Sequence, residues 1–434
     1  MKFKKVLILA WDFPPYTAIG GARPFSWYQH FHKNGLFPIV ITRHWDPDNN
    51  YRYAYIKSSN EQTKKIEKNN FGIIIKIPYK SSFRDKLILK YGYNRFSFLR
   101  RVISFLQFTL SFPFLYFDNK KELYNTAKEF LEREKVNLII ATGEPFILHK
   151  YAYNLSKIFK IPYALDYRDG WTTRDDNLTL TGLKKYLNDF YFRNFEKKYL
   201  YNANFITTSN PFEQPKLKEI SSNILLENVF NGYVEDEIKL GKGIKQLSDC
   251  FRIAYAGTIY PFNRVEDFLE GMKKFVLKYP NAKFNLMLLG IDNQPKQLRR
   301  IKNYDPVLVN YIQSSPRMDK VDLIQWFCKC NCLLVFTNPK IKLLPSKIYE
   351  YLPLRRKILV SINDDADLKM IMETTCAGYN CNNSNEIFLA IEEMYNEFLK
   401  NGFVASTTKN YEQFSRKNQT KLLSKIILKH LDKK

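Results

Sequence analysis

The stretch Leu343-Leu344-Pro345-Ser346-Lys347-Ile348-Tyr349-Glu350-Tyr351-Leu352 lies between two apolar runs, at residues 333–336 and 358–362. Short apolar runs bounded by loop residues are typical of strands buried on both faces of a parallel sheet. Pro345 and Ser346 suit the start of a helix, because Pro fixes φ and a Ser oxygen can accept from an orphan backbone N–H. The stretch therefore predicts a loop that enters a helix between two buried strands.

Lys347 and Glu350 are three residues apart in that predicted helix. A lysine in the first turn, beside unpaired backbone N–H groups, favours an anion such as a phosphate. A carboxylate in the same turn can accept hydrogen bonds from sugar hydroxyls. The two residues would therefore suit a nucleotide-sugar. The ordinary alternative is a surface Lys–Glu ion pair on an amphipathic helix, and the residues taken in isolation favour it.

The rest of the chain alternates apolar runs with helix-periodic segments, in two series. The predicted strands are residues 6–10, 39–42, 136–141, 163–165 and 205–208, and then 251–257, 284–289, 333–336 and 358–362. This alternation predicts two α/β domains in tandem, each with a parallel sheet. We place the N-terminal domain at 1–233, a polar linker at 234–249 and the C-terminal domain at 250–404. Residues 405–434 are predicted as a C-terminal helix able to pack back on the N-terminal domain.

The charge of the chain indicates an anionic partner. Lys and Arg total 68 against 43 Asp and Glu, which gives a net charge of +25. Such an excess suits nucleic acid, an acidic membrane surface or phosphorylated substrates. We rank nucleic acid last, since no nucleic-acid motif is recognisable. Six cysteines do not form a disulfide framework in a chain of this length, so we expect a reducing, cytoplasmic location without a signal peptide or spanning helix.

One segment, Tyr79 to Phe117, is both basic and aromatic. Three alternatives fit it: a patch that lies in a membrane interface, a site for single-stranded nucleic acid, and a core-facing helix with a solvated basic face. The pattern favours the first and the last about equally. Its members are Lys80, Arg84, Lys86, Lys90, Arg95, Arg100 and Arg101, among Phe83, Tyr91, Tyr93, Phe96, Phe98, Phe105 and Phe108.

Three loops follow predicted strands of the first series, at residues 11–21, 142–146 and 166–171. In doubly wound sheets, binding sites collect at the carboxyl ends of the strands. Gly20 and Gly21 open a helix, where glycines let backbone N–H groups approach an anion. They do not form the dinucleotide-binding fingerprint, because the glycine spacing is wrong.

In this order the motifs resemble those of retaining glycosyltransferases of the GT-B architecture, in the glycogen-synthase-like and mannosyltransferase-like group (family GT4). The motifs are Phe13-Pro14-Pro15 with Gly20-Gly21; Ala141 to Pro145; Asp166-Tyr167-Arg168-Asp169-Gly170-Trp171; Asn231-Gly232-Tyr233; Tyr255 to Tyr260 leading to Arg264; and Pro345-Ser346-Lys347 leading to Glu350. The resemblance runs nearly end to end.

The resemblance implies two Rossmann-like domains with parallel sheets that face a central cleft. The C-terminal domain would hold a nucleotide-diphosphate sugar and the N-terminal domain an acceptor. Arg264 and Lys347 match the cations that neutralise the leaving diphosphate, and Glu350 matches the carboxylate that binds the ribose. The donor set is completed by Gly20, Gly21, Gly257, Thr258, Tyr260 and Ser346, and the acceptor side by Asp12, Glu144 and Trp171. Neither a metal nor a cofactor is expected.

Two positions depart from the family pattern. The family often carries a second acid eight residues before the ribose carboxylate, where this chain has Lys342. The family often has a His in the loop that here contains Arg168 and Asp169, so we assign the catalytic role to these two with Arg264 and Lys347. The expected function is retaining sugar transfer to a glycan or lipid-linked acceptor in bacterial cell-surface polysaccharide synthesis, at the inner face of the cytoplasmic membrane. The alternative is a catalytically degenerate scaffold that binds nucleotide or glycan.

Overall fold

A computed structural model describes residues 3–16, 19–47, 53–175, 177 and 180–432. The chain forms two compact units, the first made of residues 1–230 and 419–434 and the second of residues 231–418. None of the helices in the described residues is long and apolar enough to cross a membrane.

The strands are β1 (Lys4–Leu9), β2 (Leu36–Arg43), β3 (Lys65–Asn69), β4 (Gly72–Ile77), β5 (Leu138–Gly143), β6 (Tyr163–Tyr167), β7 (Phe205–Thr208), β8 (Leu226–Asn228), β9 (Phe251–Ala256), β10 (Phe284–Leu289), β11 (Ile312–Ser314), β12 (Cys332–Val335), β13 (Lys357–Val360) and β14 (Gly378–Asn380). The α-helices are α1 (Ile19–His30), α2 (Phe83–Tyr91), α3 (Ser97–Ser111), α4 (Lys121–Arg133), α5 (Ile147–Phe159), α6 (Gly182–Tyr186), α7 (Arg193–Tyr201), α8 (Glu213–Ile220), α9 (Glu235–Ile238), α10 (Val265–Lys278), α11 (Pro295–Lys302), α12 (Lys320–Lys329), α13 (Lys347–Tyr351), α14 (Asp367–Thr375), α15 (Ser384–Asn401) and α16 (Arg416–Asp432).

The sheet of the first unit has the strand order β3-β4-β2-β1-β5-β6-β7-β8 among the described residues. Each pair is parallel except β3 with β4. In the centre of the sheet, Leu7 of β1 aligns with Ile39 of β2 and Ile139 of β5. The central residues of these strands are apolar because helices cover both faces of the sheet. The strand β3 is polar and mostly exposed, as an edge strand must be to avoid pairing with other chains.

The C-terminal helix contributes to the core of the first unit. Leu423, Ile426 and Ile427 of α16 are buried in one apolar cluster with Val6 of β1 and Trp27 of α1. The helix begins at Arg416, whereas the sequence predicts a helix from residue 405. Residues 411–414 form a separate 3-10 turn before it.

The second unit contains a sheet of order β11-β10-β9-β12-β13-β14 in the described residues, and each pair in it is parallel. Residues 234–249, predicted as a linker, belong to this unit, and part of them forms α9. Gln246 holds the segment in place, since its side chain accepts from the backbone N–H of Val404 at 2.9 Å and donates to the carbonyl of Val404 at 2.7 Å. A polar composition therefore does not indicate an unattached linker here.

The basic aromatic segment forms α2 and α3 of the first unit. On α3, Phe98, Phe105 and Phe108 are exposed, whereas Arg100 is buried. The alternative of a core-facing helix with a solvated basic face is therefore wrong for these aromatic side chains.

Candidate functional site

The carboxyl ends of three neighbouring strands meet in the second unit. The strand β12 pairs with β9 on one side and with β13 on the other. Their loops are tied together, because the N–H of Arg264 donates to the carbonyl of Thr337 at 3.2 Å and the amide of Asn338 donates to the carbonyl of Phe262 at 2.6 Å. The hydroxyl of Thr337 also donates to the carbonyl of Ile362. The result is one continuous loop surface at the edge where doubly wound sheets bind ligands.

Gly257, at the end of β9, has φ +131°, a conformation that side-chain-bearing residues rarely adopt. The loop after it is fixed by Gln294, which accepts from the N–H of Ile259 at 2.9 Å and donates to the carbonyl of Gly257 at 3.0 Å. The hydroxyl of Tyr255 donates to the carbonyl of Thr258 at 3.0 Å. The Cε atom of Lys347 lies 3.7 Å from the position that a Cβ on Gly257 would take. The structure therefore places Gly257 next to Lys347, and the family resemblance assigns both residues to the donor site.

Glu350 is the centre of a charge cluster. Its Oε2 lies 2.8 Å from Nζ of Lys347 and 3.1 Å from Nζ of Lys320. Burial acts to raise the pKa of Glu350, but the two lysines hold it below its ordinary value. The structure thus contains the Lys–Glu ion pair that the ordinary alternative describes.

Lys320 is the member of this cluster that the sequence does not reveal. It opens α12, and its Nζ also lies 3.2 Å from Oε2 of Glu237. Sequence spacing identifies ion pairs within one helix, such as Lys347 with Glu350, because residues three or four positions apart are neighbours on the helix surface. The pair of Lys320 with Glu350 joins two helices, so no local pattern could indicate it.

The remaining donor residues lie on the same loops with different partners. Arg264 is 46% exposed and forms two hydrogen bonds to Asp267, at 2.8 and 2.6 Å. Tyr260 is half-exposed and its ring stacks on Phe262, with centroids 5.1 Å apart. Ser346 precedes α13 but its side chain does not cap that helix. The predicted role of the Ser346 oxygen as a helix cap is therefore wrong, and the helix is only five residues long.

Lys342 lies on the loop between β12 and α13, where the family has an acid. The acidic residues of the loop after β13 do not take the place of the missing acid, because their carboxylates already have partners. Asp364 accepts from the backbone N–H groups of Ala366 at 3.1 Å and Lys369 at 3.2 Å, at the start of α14. The pKa of Asp365 is lowered, chiefly by its hydrogen bond and ion pair with Lys369 and to a smaller extent by Lys342.

In the first unit, Gly20 packs against two charged side chains. A Cβ on Gly20 would lie 1.9 Å from Nη1 of Arg168 and 2.7 Å from Oδ2 of Asp12. Gly21 faces backbone instead, because a Cβ there would lie 3.0 Å from the N atom of Phe13. A side chain at residue 20 would therefore displace Arg168 and Asp12, whereas one at residue 21 would press on the backbone of the loop after β1.

Arg168 and Asp12 are both largely buried. The Nε atom of Arg168 lies 3.4 Å from Oδ2 of Asp169, and Ser209 donates to the carbonyl of Arg168 at 2.6 Å. Burial raises the pKa of Asp12, while the charges of Arg168 and Arg43 oppose that rise. The structure thus places the predicted catalytic residues Arg168 and Asp169 beside Gly20 and Asp12, at the carboxyl end of the first sheet.

A buried ion pair holds this arrangement. The Nη2 atom of Arg23 on α1 lies 2.7 Å from Oδ1 of Asp166 on β6, and both side chains are almost fully buried. Asp166 also accepts from the hydroxyls of Thr142 at 2.8 Å and Thr207 at 2.6 Å. Burial acts to raise the pKa of Asp166, but Arg23 and these hydroxyls keep it below its ordinary value. Asp166 is thus a structural residue that links α1 to the loop carrying Arg168.

Glu144 and Trp171 line a cavity of about 780 Å³ in the first unit. Glu144 accepts a hydrogen bond from Nη1 of Arg174 at 3.1 Å. Trp171 is buried between stacked rings, with its centroid 5.3 Å from Phe146 and 5.0 Å from Phe112. Two of the predicted acceptor residues therefore share one cavity, while Asp12 lies with Gly20 and Arg168.

Within the described part of the chain, no group of three or more His, Cys, Asp or Glu side chains could hold a metal ion.

No protein-family model matches the sequence, and no curated protein matches it. Solved structures match over almost the whole chain. A glycosyltransferase from Rickettsia africae has a TM-score of 0.61 at 13% identity and covers 100% of both chains. A trehalose-6-phosphate synthase has a TM-score of 0.61 at 13% identity and covers 99% of each chain. The catalytic domain of starch synthase IV from Arabidopsis thaliana, bound to ADP and acarbose, has a TM-score of 0.55 at 10% identity over 100% of this chain and 99% of its own. The protein therefore has the GT-B fold of these glycosyltransferases.

Proposed function

We propose that the protein is a glycosyltransferase that transfers a sugar from a nucleotide-diphosphate sugar to a glycan or lipid-linked acceptor. The observation that carries the proposal is the contact of Lys347 with Gly257 and Glu350 at the carboxyl edge of the second sheet. Arg264 lies on the loop after the adjacent strand β9. A cation pair and a carboxylate at this edge suit a diphosphate and a ribose. The starch synthase domain with this fold was solved with ADP bound.

In the proposed reaction the bond between the sugar C1 and the β-phosphate oxygen breaks, and the acceptor oxygen bonds to C1. The acceptor proton passes to the leaving diphosphate. Arg264 and Lys347 stabilise the charge that develops on that leaving group. A hydrogen bond to a charged group contributes about 1.5–3 kcal/mol, so the two cations can replace a metal ion in this role. We propose that no metal and no further cofactor is needed.

The three-residue charge cluster supports this division of roles. Lys347 pairs with Glu350 in the structure, and a bound diphosphate would compete with Glu350 for Lys347. Lys320, 3.1 Å from Glu350, would keep that carboxylate ionised after Lys347 turns to the phosphate. Glu350 could then accept from the ribose hydroxyls.

The proposal also covers the stereochemistry, the family, the biological role, the residue roles and the location of the protein. Retention of configuration, membership of family GT4 and a role in bacterial cell-surface polysaccharide synthesis rest on the resemblance of the motifs. The donor contacts of Gly20 and Gly21 and the catalytic role of Arg168 and Asp169 rest on the same resemblance. A location at the inner face of the cytoplasmic membrane is supported by the exposed aromatic side chains of α3 beside basic residues.

Incubation with UDP-, GDP-, dTDP- and ADP-sugars plus acceptor extracts tests the proposal. We expect sugar transfer from at least one donor and its loss in Lys347→Ala. Lys239→Ala is the matched control, because Lys239 forms an i,i+3 ion pair with Asp236 in the same unit, at 2.6 Å. Absence of transfer from every donor, or equal activity of the two variants, would contradict the proposal.

Lys342 favours a second candidate, a scaffold that binds nucleotide-sugar without turnover. The distinction is kinetic. Binding of a donor without product from any acceptor supports the scaffold, whereas multiple turnovers exclude it.

A further inference from the structure

Two neighbouring surface segments of the first unit expose large apolar side chains. On α3, Phe98 is 79% exposed and Phe105, Leu106 and Phe108 are also exposed. The second segment is α6 with the π-helical turn Leu187–Phe192, where Leu183 is 63% exposed and Tyr186 and Phe190 are similarly open. Exposed apolar surface of this extent on adjacent helices indicates a binding surface.

A groove runs between these two segments. Its inner part is the cavity of about 780 Å³ that Glu144 and Trp171 line. Its outer part is a cavity of about 670 Å³ lined by Arg101, Val102 and Leu183. The two cavities share a wall, formed by Arg84, Ser104, Phe105 and Lys184. The two cavities therefore adjoin along this wall, and together they extend from α3 and α6 to the loops that follow β5 and β6.

Charged side chains line the groove along its length, and two cations stand at its middle. These are Arg84 and Lys184 of the shared wall, and Arg84 lies 3.3 Å from its neighbour Asp85. The inner end carries Glu144 with Arg174, and also Asp118 and Lys120. The outer end is formed by Tyr93, Val102 and Leu183 together with Ser97, Arg100 and Arg101. From the inner end to the outer end, a ligand that matches this groove has a polar group, then an anion, then a hydrocarbon chain.

We propose that this groove binds the acceptor, and that the acceptor is a lipid with a phosphate group next to a long hydrocarbon chain. The chain lies between α3 and α6, the phosphate contacts Arg84 and Lys184, and the acceptor hydroxyl points to Glu144. The inference rests on the proposed function, because it names the acceptor class for that reaction. A glycan without a lipid would leave Phe98, Leu183 and Phe190 in water, whereas a membrane-embedded lipid brings a hydrocarbon surface to them.

The proposal also explains why two apolar helices flank the mouth of the groove. An acceptor chain buried in a bilayer can reach a protein only if the mouth of its site lies at the bilayer surface. Apolar side chains inserted at that surface hold a protein there, and Lys or Arg beside them add attraction to an anionic leaflet.

Titration of the full-length protein with farnesyl phosphate, as monomers, tests the groove without a membrane. We expect binding that is about tenfold weaker for farnesol, which lacks the phosphate, and absent for inorganic phosphate, which lacks the chain. Lys184→Glu should weaken farnesyl phosphate binding by about tenfold. Lys185→Glu is the matched control, since Lys185 is the adjacent lysine, pairs with Asp189 at 2.7 Å and does not line the groove.

A second variant, Phe105→Asp, tests the chain contact at a half-exposed position where folding should survive. It should lower the affinity for farnesol, which has no charge for the new aspartate to repel, as well as the affinity for farnesyl phosphate. Titration with UDP in the same variants separates the two proposals. A protein that binds UDP but not farnesyl phosphate, or equal affinities in the Lys184 and Lys185 variants, overturns the groove proposal. A protein that binds farnesyl phosphate in this pattern but no nucleotide supports the groove and contradicts the donor site.

Discussion

The guanidinium of Arg168 fills the space beside Gly20, with Nη1 1.9 Å from the position that a Cβ would take. A methyl group at residue 20 therefore forces Arg168 to move. Arg168 is a catalytic residue in the proposed function, and displacement of such a group by about 1 Å can cost about 100-fold in rate. We therefore expect Gly20→Ala to lower kcat/KM by about that factor. The stability should change little, because Ala is a better helix former than Gly.

The double variant Gly20→Ala with Arg168→Ala tests whether displacement of Arg168 causes the loss of kcat/KM in Gly20→Ala. If Gly20 acts by leaving room for Arg168, the Gly20 substitution should have almost no further effect once Arg168 is Ala. Additive losses in kcat/KM would show that Gly20 acts in another way.

Lys320→Ala should change the pH dependence of donor binding. Lys320 and Lys347 hold the pKa of Glu350 below its ordinary value against the effect of burial. Removal of Lys320 raises that pKa, so protonation of Glu350 begins at a higher pH. We expect the acid limb of nucleotide affinity to move to higher pH, measured by calorimetric titrations between pH 4 and pH 8. An acid limb that coincides with that of the Lys239→Ala control would show that Lys320 does not act on Glu350.

Arg23→Met should destabilise the first unit strongly. The substitution leaves Asp166 buried without its cation, and breaking a buried ion pair in this way costs about 3–5 kcal/mol. Lys5→Met removes an exposed ion pair with Glu134, at 2.8 Å, and should cost far less, because water and salt screen an exposed pair. Urea denaturation monitored by tryptophan fluorescence measures both values. Similar free energies of unfolding for the two variants would contradict a structural role for Asp166.

Removal of divalent ions tests the proposed role of Arg264 and Lys347 as the groups that stabilise the leaving diphosphate. We expect sugar transfer to continue in excess EDTA at a rate close to that with added Mg²⁺. Complete loss in EDTA, restored by Mg²⁺, would show that a metal ion takes part.

Much of the fold follows from local sequence, because each central strand is an apolar run closed by a turn. The runs 333–336 and 358–362 correspond to β12 and β13, with shifts of one or two residues at their ends. The strands predicted from the sequence do not include the polar edge strand β3 or the three-residue edge strands β8, β11 and β14. They also omit β4, an interior strand, although residues 73–75 form an apolar run of the kind that identifies the other central strands. Edge strands bury one side or none, so they lack the apolar run by which the central strands are identified.

Some residues of the candidate sites can be found from sequence motifs, whereas others are found only from the packing of distant segments. Gly257 with Lys347 and Gly20 with Arg168 are predicted as members of one site from the order of motifs, and the structure places each pair in contact. Lys320 and the segment 182–192 were missed, because their partners are distant in sequence and their own spacing is ordinary. Only the packing of α12 against α13, and of α6 beside α3, brings these residues to a site.

Calorimetric titration of nucleoside diphosphates into the wild-type protein and Lys347→Ala tests the central claim most directly. The claim predicts binding of at least one of UDP, GDP, dTDP and ADP, and an affinity about 10- to 100-fold lower in the variant, from the loss of about 1.5–3 kcal/mol. Equal affinity of the two proteins for the diphosphate that binds best, or no binding by the wild type, would contradict it.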